Sequence, residues 1–173
     1  MLCERARRNS FESVDGNSSQ LYGNLSIAPE SLIDRGFVAI TRSATQTDNV
    51  LNYYLHSPGG AITVQGGGFG EQTIDSVVIS DIDQAFFRSI VSRLDEIVDL
   101  DFAESRFAAE ADVDLYYDSE INLDDAGNTL GLAVSEGSSW ELFINYPELK
   151  NDQNYRRYVL IHEFGHALGL EHP

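Results

Sequence analysis

The spacing of apolar residues changes along the chain, and each change predicts an element. Residues 1–48 show little period. Ser, Asn, Asp and Gln dominate, broken by short apolar islands at Leu25–Ile27 and Phe37–Ile40. Such a stretch can bury little surface, so it reads as an N-terminal extension or pro-segment, partly ordered, with one strand. From Val50 the pattern sharpens. Val50–His56 is rich in β-formers and ends at Pro58-Gly59-Gly60, which predicts a strand and a turn. His56 then falls on the strand surface. Gly66-Gly67-Gly68-Phe69-Gly70 lacks the Lys-Ser/Thr of a phosphate loop and reads as a flexible connection.

Asp81 can cap a helix running to about Asp99. Phe86, Ile90, Leu94 and Val98 recur every four residues, and Phe87, Val91 and Ile97 widen the face. Leu100–Glu104 and Val113–Tyr117 read as strands. So do Thr129–Val134 and Trp140–Tyr146, around a Ser-Glu-Gly-Ser-Ser turn. Asn151–Tyr155 leads into a last helix. The expected fold class is α/β (α+β): a twisted mixed sheet of about five strands, a backing helix and a helix that carries the site. Residues 49–173 form its one folded domain.

The last helix carries the chemistry, in the run I-H-E-F-G-H-A-L-G-L-E-H-P from Ile161 to Pro173. His162 and His166 are one helical turn apart on one face, so two imidazoles can share a zinc ion. Glu163 projects beside that ion, where a carboxylate can hold a water and accept its proton. A straight helix would carry His172 away from the pair. Gly169 can end the helix in the left-handed conformation and swing His172 back. Three protein nitrogens leave a fourth position open, the layout of a catalytic rather than a structural zinc. At about 100° per residue, Leu160, Ile161, Phe164, Ala167 and Leu168 lie opposite the ligands and face the core.

Charge and composition narrow the setting. The chain has 173 residues, a net charge of −17 and 42% apolar residues. That length fits one domain, and that charge argues against nucleic acid as a partner. No apolar run is long enough to span a membrane. Basic Arg5, Arg7 and Arg8 are not followed by the apolar stretch of a signal peptide. Cys3 is the sole cysteine, so no internal disulfide forms, and it reads as an ordinary terminal thiol. Asp and Glu around the strands after residue 100 could hold Ca2+, although Asp118–Asn128 does not follow EF-hand spacing.

The pattern H-E-x-x-H-x-x-G-x-x-H at His162–His172 resembles the metzincin metalloproteases. Pro173, and the phrase G-H-A-L-G-L-E-H-P, resemble the serralysin-like branch. Ala111-Asp112-Val113-Asp114-Leu115 and Trp140–Asn145 resemble sheet segments of that family. The resemblance implies the N-terminal subdomain of a zincin-like catalytic domain. The single Met is Met1, so the family's Met-turn, its C-terminal subdomain and its calcium repeats are missing here. A longer reading frame beyond Pro173 is therefore expected. The implied function is a secreted, monomeric, zinc-dependent metalloendopeptidase with Glu163 as general base. The alternative is a zinc-binding, non-catalytic acidic module that binds peptides. By the same resemblance, Thr129, Leu130, Gly131, Leu132, Ala133 and Val134 form an open edge strand on which a polypeptide substrate could lie.

Overall fold

A computed structural model describes the backbone of residues 2–4, together with residues 28–121 and 129–172. The Leu25–Ile27 island, Pro173 and most of the segment weighed as a calcium loop lie outside these residues.

The described elements form a mixed α/β domain of eight strands and four α-helices. In chain order they are β1 (Leu2–Glu4), α1 (Arg35–Thr45), β2 (Val50–Leu55), β3 (Gly60–Val64), β4 (Gln72–Val77), α2 (Asp81–Asp95), β5 (Asp101–Glu104), β6 (Val113–Asp118), β7 (Thr129–Glu136), β8 (Ser139–Asn145), α3 (Tyr146–Leu149) and α4 (Gln153–Ala167). The sheet runs β1-β7-β8-β6-β2-β5. β8, β6, β2 and β5 are mutually parallel, while β7 is antiparallel to both β8 and β1. The hairpin of β3 and β4 joins β6 beyond the end of β2, where Val77 faces Tyr117 and Ser76 faces Asp118.

The expected count of about five strands falls short. β3 and β4 are mostly exposed along their length, so they lack the buried alternation that marks a strand in sequence. β6, by contrast, is buried on both faces over Leu115–Asp118. That is the mark of a central strand covered on both sides.

Two apolar clusters flank the sheet. Phe87, Leu115, Trp140, Leu142, Val159, Leu160 and Phe164 belong to the larger, between the sheet and the helices. Val64, Tyr116, Ile121, Leu132, Val134 and Phe143 form the smaller, beneath the β3–β4 hairpin. α2 begins on Ser80, whose hydroxyl accepts from the Asp83 amide, and it ends at Asp95 rather than Asp99. Ile97 and Val98 therefore lie past the helix and are exposed, while Phe87 and Val91 make the buried stripe. Ile161 also departs from the expected face and is 41% exposed.

Three further expectations change. Residues 35–45, inside the expected extension, form helix α1, capped by Asp34 through the Phe37 amide. The α1 side chains reach the core: Thr41 donates to the Ala167 carbonyl at 2.6 Å and accepts from the Trp140 indole at 3.1 Å. His56 is buried rather than on the surface, packed on Tyr116 and within 3.3 Å of the Tyr54 hydroxyl. The glycine run is a pinned turn, because the Glu141 carboxylate accepts from the amides of Gln65 and Gly66. Gly66 and Gly67 take positive φ there, and a Cβ on Gly67 would lie 2.9 Å from the Ser135 carbonyl oxygen.

Candidate metal centre

α4 starts where the Asp152 carboxylate accepts from the Tyr155 amide. Its inner side buries Val159, Leu160, Phe164 and Ala167. Near its start, Arg156 pairs with buried Asp83 of α2 at 3.0 Å and donates to the Leu149 carbonyl. These contacts fix the roll of the helix, and therefore the direction of His162 and His166.

The helix stops in a paired turn. Gly169 N–H donates to the His166 carbonyl, and Leu170 N–H to the Gly165 carbonyl, with Gly169 at φ +93°. This is a Schellman ending, in which a left-handed residue lets the chain double back at little cost. The reversed chain is then clamped. Asp34 N–H donates to the Gly169 carbonyl and Glu171 N–H to the Leu32 carbonyl, while Ile33 bridges Leu170. A Cβ on Gly169 would sit 2.4 Å from the Val38 methyl.

The result brings three imidazoles together. One ring nitrogen from each of His162, His166 and His172 lies within 4.8 Å of the others. The Nε2 atoms of His162 and His172 face each other at 2.6 Å. Two nitrogens on one tetrahedral zinc at about 2.0–2.1 Å would be roughly 3.3 Å apart. The observed spacings bracket that value. His166 Nδ1 lies 2.8 Å from the Leu170 carbonyl, an acceptor only. The proton therefore belongs on Nδ1, and the lone pair of Nε2 points into the cluster. His166 Nε2 is buried without a hydrogen-bond partner, as are both carboxylate oxygens of Glu163. Orphaned buried polar atoms of this kind are costly unless something satisfies them. The donor set fits a borderline-soft divalent ion such as Zn2+.

Electrostatics agree with that fit. Burial pushes His166 down to about 4 and lowers His162, with His172 adding to the effect on His162. Both rings are thus held neutral, the form that can ligate. Burial raises Glu163 to about 8. A cation beside it would favour its charged form.

Two residues help to seat this cluster in a way that sequence patterns did not indicate. Gly131 of β7 is one. A Cβ there would lie 2.4 Å from Glu163 Oε1 and 2.7 Å from Val159 Cγ1, so only glycine leaves room for the carboxylate. Phe37 of α1 is another, edge-on to both His166 and Trp140. The Asp34 cap ahead of Phe37 and Ile40 is the signal that could have revealed α1.

The expected open edge of Thr129–Val134 is not fully open. β7 pairs on its outer side with β1, with Leu2 opposite Leu132, Cys3 opposite Gly131 and Glu4 opposite Thr129. Hydrogen bonding by the chain's own strand satisfies that part of the edge.

The fold and the cluster define a mixed α/β protein with a candidate three-histidine metal centre. No protein-family model matches the chain, and no curated protein matches it. Among solved structures it is similar to a chain of the "GM1 bound form of the ECX AB5 holotoxin", at 20% identity and a TM-score of 0.38. The match covers 76% of this chain and 55% of that one, so this chain spans little more than half of that chain's length. These findings overturn the metzincin identification drawn from the motif. No family model places the chain among proteases. The endopeptidase function and its peptide-binding alternative fall with that identification. At its low TM-score the holotoxin likeness assigns nothing in their place. No helix among the described residues is long and apolar enough to cross a membrane.

Proposed function

We propose that this chain is a metal-dependent enzyme whose centre holds one zinc ion on His162, His166 and His172. The observation that carries the reading is the convergence of three ring nitrogens within 4.8 Å, one of them buried and unpartnered. When bound, zinc supplies Lewis acidity and lowers the pKa of a ligand at its open position. The remaining chemistry belongs to the chain. The Leu170 carbonyl holds the His166 tautomer, and the clamp from residues 32–38 holds His172 in reach. Glu163, one residue from a ligand and without a hydrogen-bond partner, is placed to accept a proton and return it. Gly131 leaves the room that the carboxylate occupies beside Val159.

Calcium has no comparable support among the described residues, since the ligand-atom cluster found there consists of histidines alone. A secreted setting and a monomeric state stay within the proposal. The net charge of −17 suits surroundings rich in salt or divalent ions.

The test has two parts. Dialysed protein should take up one zinc per chain with a micromolar or tighter Kd, and His166→Ala should lose at least a hundredfold in affinity. Glu163→Gln should keep the zinc and lose turnover of an activated ester such as p-nitrophenyl acetate. Zinc uptake unaffected by His166→Ala would reject the centre. Unchanged turnover in Glu163→Gln would reject Glu163 as the proton acceptor.

A further inference from the structure

β7 lies next to β1 at one end of the main sheet path, and without β1 it would be an edge strand with a row of unpaired N–H and C=O groups. Here Leu2–Glu4 lies antiparallel on that edge, with a register shift between Cys3 and Glu4. Its position along β7 matters. Cys3 is opposite Gly131, the residue whose absent side chain makes room for the Glu163 carboxylate. The N-terminal strand therefore lies along β7 level with Glu163. The strand is only three residues long, and pairing so short is marginal by itself.

We propose that the N-terminal strand is a built-in cover of the metal-site rim. Paired to β7, it occupies the edge beside Glu163 and restricts approach to the histidines. Released, it leaves the outer edge of Thr129–Leu132 unpaired and the rim open. The proposed consequence for activity rests on the zinc reading above, but the pairing and the access it controls do not.

The experiment uses the metal-free full chain. Leu2→Pro/Cys3→Pro removes both amide donors, and Leu2→Ser/Cys3→Ser keeps them as a control. Hydrogen–deuterium exchange reads the edge. Modification of the three histidines by diethyl pyrocarbonate reads access. In the proline variant, the amides of segment 129–132 that face β1 should exchange at least tenfold faster than in wild type, with β8 unchanged. Histidine modification should quicken at least threefold. The serine control should match wild type, and adding the synthetic peptide Met-Leu-Cys-Glu-Arg-Ala-Arg-Arg should restore protection to the proline variant. Unchanged exchange at 129–132 would overturn the pairing. Faster exchange with unchanged histidine modification would overturn the role as a cover. Neither readout needs zinc, so a failure of the zinc reading would show separately, as absent metal uptake.

Discussion

Gly131 shows how a missing side chain can be a functional feature. Glu163 is wholly buried, yet neither of its oxygens is hydrogen-bonded. It keeps its place because β7 carries a hydrogen atom where every other residue has a carbon. Gly131→Ala would put that carbon within 2.4 Å of Glu163 Oε1 and 2.7 Å of Val159 Cγ1. Backbone and α4 are both packed, so the strain cannot be shed cheaply. The expected outcome is a loss of about 1–3 kcal/mol in stability, the usual range for overpacking. Zinc affinity should change less than tenfold, because no ligand is removed, while any turnover that depends on Glu163 should fall. Denaturant melts, zinc titration and an ester assay on the same variant separate the three effects.

At the level of elements, the site depends on α1 as much as on α4. The tail that carries His172 is held by residues 32–38, and the last turn of α4 is tied to α1 through Thr41. Thr41 serves two partners at once, donating to the Ala167 carbonyl and accepting from the Trp140 indole. Thr41→Val keeps the shape but strands both groups in the core. Leaving buried polar groups unsatisfied costs about 1–3 kcal/mol. The variant should lose about that much stability. It should also weaken zinc binding, since the Schellman turn that follows Ala167 sets both the His166 tautomer and the return of His172. Unaltered zinc affinity in a variant whose melting point has dropped would show that α1 supports the fold without positioning the ligands.

For the whole molecule, charge and burial pull against each other. Asp114 lies partly buried on the sheet, one of its oxygens without a partner. Burial first, then the neighbouring Glu141 and Asp112, push it up from 3.8 to about 7. The folded state therefore binds this proton more tightly than the unfolded state does. Its contribution to stability is greatest below about pH 4 and is lost as the pH rises toward 7. Asp114→Asn should flatten that dependence, narrowing the gap in unfolding free energy between pH 5 and pH 8. A gap as wide as in wild type would show that other groups set it.

The elements that were legible in the sequence are those whose signal is local. His162, His166 and Glu163 share a helix by spacing alone, Gly169 marks its end, and β2, β6, β7 and β8 announce themselves through dense β-formers. What stayed hidden depends on contacts between residues far apart in the chain. The room at Gly131 is set by Glu163, 32 positions later; the α1 clamp acts across 126 positions from Thr41 to Ala167; and β1 finds its partner in β7, far along the chain. Residue order determines periodicity and bond geometry within a few turns. Whether a glycine is a hinge or a hollow, and whether a strand edge lies open or covered, is decided only when distant segments compete for the same space and the same hydrogen bonds.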